Sequence, residues 1–119
     1  MKSLHRSKAI EAYEGARLVL KKGLVYPGYV LLKEATRSVL AYINEDVQGK
    51  EYSEKTKMRT LLEEVPAELE QLTDLSVFDI FVDMDTAGLG AILTLDIAEL
   101  EKIKKVLKKT MGIYMQADL

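Results

Sequence analysis

The residues with the most evident capacity for chemistry are a run of carboxylates. Asp79 and Asp83 are four positions apart, so on a helix both carboxylates lie on one face and could share a Mg²⁺ or Ca²⁺ ion. Asp85 could join them only if the helix ended before it. An acidic stripe is also typical of a solvated helix face. The sequence therefore leaves a metal site at Asp79 and Asp83 and a plain acidic surface as alternatives.

Histidine and cysteine chemistry is nearly absent. The chain has no cysteine, and so has no disulfide, thiolate ligand or cysteine nucleophile. His5 is the sole histidine and falls in the first turn of a predicted helix, where we expect an ordinary surface residue. The turn Gly88-Leu89-Gly90 lacks the preceding strand and the lysine of a phosphate-binding loop. Catalysis by histidine or cysteine has little support here.

Basic residues offer a binding site instead. Arg37, Lys57 and Arg59 lie on or near the second and third predicted helices and could converge on one groove. Tyr42 and its neighbours could stack on a base, or could be core residues with their hydroxyls at the rim. We therefore take Arg37, Lys57, Arg59 and Tyr42 as candidate nucleotide-binding residues. The tyrosines near this region are Tyr29, Tyr42 and Tyr52.

Composition bounds the class of protein. The chain has 119 residues, 48% of them hydrophobic and 30% charged, which predicts a single folded domain spanning residues 1–119. The net charge of −2 predicts no long-range attraction to nucleic acid, although a local basic patch is compatible with it. The polar N-terminus and the lack of a long apolar run predict a cytoplasmic protein that spans no membrane. The last predicted helix carries a second basic surface, typical of a solvated face: Lys102, Lys104, Lys105, Lys108 and Lys109.

Apolar residues spaced three and four apart predict the elements that carry these side chains. We expect a first helix over residues 3–22, ended by Gly23, and a second over residues 27–46, ended by Gly49. Ser53 is the expected N-cap of a short third helix.

The second half of the chain is less uniform. Pro66 is expected to end the third helix or mark its exit. The spacing of apolar residues predicts a helix over residues 67–84, although apolar and polar residues also alternate over residues 78–84, as they do in a strand. Asp96 is the expected cap of the last helix. The fold class that follows is all-α, with four or five mostly antiparallel helices in an up-and-down bundle.

The order of these segments resembles the HEPN superfamily, named for its occurrence in higher eukaryotes and prokaryotes. The likeness is carried by residues 9–16 (AIEAYEGA), Gly23, residues 29–35 (YVLLKEA), residues 53–56 (SEKT) and residues 61–65 (LLEEV). It covers most of the chain up to Val65 and, more loosely, the final helix. It rests on pattern, without an invariant motif.

The resemblance implies a helical bundle that is commonly a homodimer. Many members accompany a minimal nucleotidyltransferase in toxin–antitoxin or defence modules, and others are metal-independent ribonucleases with an arginine four to six residues before a histidine. In this chain every arginine follows His5, and Thr56 stands where many relatives have a histidine at the start of the third helix. No catalytic residue can therefore be carried over.

The resulting expectation is a domain that acts by binding and needs no cofactor. It would form a homodimer and could pair with a nucleotidyltransferase, or with a nucleotide or RNA. The alternatives are a divergent ribonuclease, a metal-dependent hydrolase using Asp79, Asp83 and Asp85, and a purely structural assembly protein.

Overall fold

Every regular element is helical in a computed structural model of the chain, which describes the backbone of residues 2–119 and the side chains from residue 4 onward. A 3₁₀ turn at Leu75–Phe78 precedes α5. The prediction of an all-α fold is confirmed for this part of the chain. The helices are α1 (Lys2–Lys21), α2 (Val25–Gln48), α3 (Met58–Glu63), α4 (Ala67–Leu72), α5 (Asp79–Ala87), α6 (Leu89–Leu93) and α7 (Ile97–Tyr114).

The two long helices α1 and α2 form a hairpin that dominates the fold. Gly23 turns the chain between them with a φ of +78°, which a residue with a side chain rarely adopts. Leu20 lies over Gly28 near the turn, and His5 lies beside Glu45 at the far end. The end of α1 therefore contacts the start of α2, and the start of α1 contacts the end of α2, so the two helices run antiparallel.

The core lies between this hairpin, α7 and the short helices. It combines small residues on α1 with larger ones on α2, α5 and α7, so that the helices approach closely. Phe81 of α5 packs on Tyr29 of α2 with ring centroids 5.5 Å apart. The largest fully buried apolar side chains are Phe78, Phe81, Leu32, Leu40, Ile43, Leu61, Leu69, Leu100, Leu107, Met111 and Val39.

The helix ends agree with the predictions where a local signal fixes them. Gly49 follows α2 in the left-handed conformation, with a φ of +69°, and donates its N–H to the Glu45 carbonyl at 2.9 Å. Asp96 caps α7, accepting a hydrogen bond from the Ala98 N–H at 3.1 Å. Pro66 precedes α4 directly.

Three predicted boundaries are wrong. The second helix begins at Val25, because Pro27 fits within its first turn, where a missing N–H leaves no bond unmade. Ser53 caps no helix; α3 starts five residues later, at Met58. Residues 67–84 form no continuous helix, because the carboxylate of Asp74 accepts from both the N–H and the hydroxyl of Ser76 and closes a local turn.

None of the helices within residues 2–119 combines the length and the apolar composition that crossing a membrane requires.

Candidate functional site

The three predicted basic residues line one groove. Arg37 comes from the middle of α2, Lys57 directly precedes α3, and Arg59 lies in its first turn. The groove has a volume of about 430 Å³ and is closed on its third side by the end of α5. We call it the basic groove; its lining residues are Lys33, Arg37, Lys55, Thr56, Lys57, Met58, Arg59, Val82, Asp85 and Thr86.

The turn before α3 is held in place by Arg37. Its guanidinium donates to the backbone carbonyl of Glu54 at 2.5 Å and approaches that of Ser53 at 3.5 Å. These bonds tie the turn to α2 although no helix passes through it. The extended backbone of Lys57 then leads into α3, so that Lys57 and Arg59 face the same groove as Arg37.

Positive charge dominates the basic groove. Among the described residues, five cationic side chains line it against one carboxylate, Asp85, which forms an ion pair with Lys33. Lys55, Lys57 and Arg59 are exposed, and none forms a salt bridge or side-chain hydrogen bond with another described side chain. Like charges that lie close together repel one another, and a bound anion would reduce that repulsion.

Uncharged residues also line the basic groove. Met58, which is buried, and Val82 of α5 are apolar, and Thr56 and Thr86 carry hydroxyls. The Thr86 hydroxyl already donates to the Asp83 carbonyl at 2.9 Å. Apolar side chains in the lining strengthen the attraction between the surrounding cations and an anion.

The tyrosines proposed to stack on a base do not line the basic groove. Tyr42 packs half-buried against the core, and Tyr29 is buried against Phe81. Burial, with a smaller contribution from Asp85, raises the pKa of Tyr29 to about 12. Tyr52 donates its hydroxyl to the carboxylate of Glu64, which directly follows α3.

A second cavity, of about 280 Å³, lies on the other side of Arg37. It is bounded by α1, α2, the turn before α3 and Leu61 of α3, and we call it the α1 cavity. Lys8 and Glu54 pair across its mouth; their hydrogen bond raises the pKa of Lys8 and lowers that of Glu54. Its lining residues are His5, Lys8, Glu34, Arg37, Ser38, Ala41, Ser53, Glu54 and Leu61.

His5 corrects an expectation from the sequence. Its side chain is only 14% exposed, and Nε2 lies 3.3 Å from a carboxylate oxygen of Glu45. The first turns of α1 pack against the last turns of α2, so this end of the hairpin is covered. His5 therefore faces the α1 cavity and is not an ordinary surface residue.

The carboxylates of α5 lie near three different cations. Asp79 and Asp83 line one cavity, of about 470 Å³, with Arg59 and another, of about 350 Å³, with Lys102. Asp85 instead pairs with Lys33 of α2. Within the described part of the chain, no cluster of three or more histidine or carboxylate side chains is arranged to hold a metal ion.

Two cations of the basic groove, Lys33 and Lys55, were not predicted from the sequence. Lys33 lies one helical turn before Arg37 and Lys55 lies two residues before Lys57, so both spacings were available as signals. The α1 cavity has no local signal in the sequence, because residues from α1, α2, the turn before α3 and α3 itself form it.

The chain matches no protein-family model, and neither the comparison with curated proteins nor that with solved structures found a match. The resemblance to the HEPN superfamily therefore rests on the sequence pattern alone.

Proposed function

We propose that the chain is a non-catalytic, HEPN-like domain that binds the phosphate groups of a nucleotide or of RNA in the basic groove. Its helices would form an antiparallel up-and-down bundle around the α1–α2 hairpin. The observation that carries the proposal is the convergence of five cationic side chains on one groove in a chain whose net charge is −2. Most of these cations have no carboxylate partner within the groove.

The expected affinity follows from the exposure of these cations. Exposed charge pairs contribute roughly 0.2–1 kcal/mol each, and hydrogen bonds to charged groups contribute about 1.5–3 kcal/mol. Several such contacts, offset by the entropy of association, give dissociation constants in the micromolar to millimolar range. Losing one contact of about 1 kcal/mol weakens binding about fivefold.

The test is a calorimetric titration of the protein with ATP and with a short single-stranded RNA. Lys57→Gln/Arg59→Gln is expected to weaken binding by at least tenfold, because it removes two unpaired cations from the groove. The matched control, Lys105→Gln/Lys109→Gln, makes the same total charge change on exposed positions of α7 and should leave affinity within twofold. Equal losses in both variants, or no binding at millimolar ligand, would refute the proposal.

We also propose that the domain acts as a homodimer. Tyr26 and Val30 are one turn apart on α2, Leu89 and Leu93 are one turn apart on α6, and each of these side chains is exposed by 43% or more. The helices α2 and α6 pack together, so the four apolar residues lie on adjoining elements. A strictly monomeric mass in solution at 100 μM or more, measured by sedimentation equilibrium, would contradict the dimer.

A nucleotidyltransferase-type partner is the remaining part of the proposal, and only the resemblance supports it. Its test is the neighbouring reading frame: a minimal nucleotidyltransferase encoded there should co-purify with this chain. Absence of any such frame would remove the support.

A further inference from the structure

We infer that the ligand of the basic groove is a nucleoside polyphosphate, with its phosphates in the basic groove and its sugar or base in the α1 cavity. This inference rests on the proposed function and deepens it. Its starting point is that Arg37 lines both cavities. A single ligand passing Arg37 would contact both.

The two cavities differ in charge. Among the described residues, the basic groove has five cations and one carboxylate, whereas the α1 cavity has two carboxylates, Glu34 and Glu54, against the cations Lys8 and Arg37. The hydroxyls of Ser38 and Ser53, the ring of His5 and the apolar side chains of Ala41 and Leu61 form the rest of the α1 cavity. A balanced set of donors and acceptors suits an uncharged polar group such as a ribose or a base, and does not suit a phosphate.

The volumes agree with a ligand that is shared between the cavities. At about 280 Å³, the α1 cavity falls just below the range of roughly 300–1,000 Å³ typical of complete small-molecule sites. The basic groove, at about 430 Å³, falls within that range. Part of a ligand fits the first and a phosphate chain fits the second.

An RNA strand fits this arrangement less well. A strand carries a phosphate at every nucleotide, so its site needs positive charge along its whole length, and the excess of positive charge ends at Arg37. Single-stranded RNA is also commonly held by stacking on several aromatic side chains, and His5 is the only aromatic residue among the described residues that line the two cavities. The charge is concentrated at one end, as it is in a nucleoside triphosphate.

Calorimetry with four probes tests the inference: inorganic tripolyphosphate, the four ribonucleoside triphosphates, the matching nucleosides and a ten-nucleotide RNA. We expect at least one nucleoside triphosphate to bind ten times more tightly than tripolyphosphate. Equal affinities for tripolyphosphate and all four nucleotides would overturn the inference and leave the basic groove supported. Tighter binding of the RNA than of every nucleotide would also overturn it. If no phosphate-bearing probe binds, the proposed function fails as well.

A variant separates the two ends of the ligand. Ser53 is exposed at the α1 cavity, and Ser53→Tyr would fill that cavity while leaving every cation of the basic groove in place. The preference for nucleotide over tripolyphosphate should disappear, with the tripolyphosphate affinity unchanged.

Glu34→Ala provides a second variant at an exposed position and should weaken nucleotide binding at least threefold without altering tripolyphosphate binding. Unchanged nucleotide preference in both folded variants would refute the role of the α1 cavity.

Discussion

Replacing Gly28 by alanine tests the close packing of the α1–α2 hairpin. A Cβ added at Gly28 would lie 2.4 Å from Leu20 Cδ2 and 2.9 Å from Leu20 Cγ, well inside van der Waals contact. Leu20 is only 3% exposed, so its side chain has little space to move into. Overpacking of this kind costs about 1–3 kcal/mol, while alanine gains up to about 1 kcal/mol over glycine in a helix.

We therefore expect Gly28→Ala to lower the free energy of unfolding by about 1–2 kcal/mol. Urea denaturation followed by circular dichroism at 222 nm gives this quantity directly, with an unchanged m-value showing that the folded state remains compact. In a chain of this size, the melting temperature should fall by roughly 4 °C or more for each kcal/mol.

Two other helical glycines supply matched controls. A Cβ at Gly112 in α7 would meet no atom within 4 Å, so Gly112→Ala should raise stability by about 0.5–1 kcal/mol through helix propensity alone. At Gly15 the new Cβ would lie 3.2 Å from Leu31 Cδ1, and a small shift of that flexible methyl should bring the change close to zero. The predicted order of stability is Gly112→Ala, Gly15→Ala, Gly28→Ala. Stabilisation by Gly28→Ala equal to that by Gly112→Ala would refute the packing described for the hairpin.

Four further predictions concern buried polar groups and catalysis. The buried Tyr29 hydroxyl has no hydrogen-bond partner among the described residues. Tyr29→Phe should therefore leave the free energy of unfolding, measured by urea denaturation, unchanged or raise it by about 1 kcal/mol. A loss above about 1 kcal/mol would show that the hydroxyl does form a hydrogen bond. Because burial raises the pKa of Tyr29 to about 12 against 10 in an unfolded chain, the folded state binds more protons between these values. The contribution of protonated Tyr29 to stability is complete below pH 10 and is lost as the pH rises towards 12. Between these pH values, the free energy of unfolding should therefore fall less steeply in Tyr29→Phe than in the parent protein. Asn44 is fully buried and donates a hydrogen bond to the Leu61 carbonyl at 3.0 Å. Asn44→Ala should lower the free energy of unfolding by about 1–3 kcal/mol, because it leaves that carbonyl without its donor. A change below about 0.5 kcal/mol would contradict this prediction. Purified protein incubated with RNA should give no cleavage with or without Mg²⁺, and cleavage abolished by Asp83→Ala would support the carboxylate hydrolase instead.

Local signals in the sequence predicted those parts of the fold that local interactions determine. Gly49 ends α2 because the chain turns there with positive φ, and Asp96 starts α7 because its carboxylate bonds a nearby N–H. Ser53 has the side chain of a helix cap, yet the turn around it is fixed by Arg37, which lies sixteen positions earlier in the chain. A distant contact of this kind has no signature in the local pattern.

The candidate site also has a part that the sequence could predict and a part that it could not. The convergence of Arg37, Lys57 and Arg59 could be predicted because consecutive helices usually lie side by side. The α1 cavity could not, since it depends on His5 being covered when the two ends of the hairpin meet. Burial of a terminal residue is a property of the packed molecule and does not follow from the residues beside it.

The position of bound phosphate can be measured most directly by nuclear magnetic resonance, since a chain of 13.4 kDa gives resolved amide spectra. Titration of ¹⁵N-labelled protein with ATP should shift the amides around Arg37 and of residues 55–59, while the amides around Lys105 and Lys109 of α7 stay in place. Saturable shifts centred on α7, with none at the basic groove, would contradict the assignment of phosphate binding to that groove.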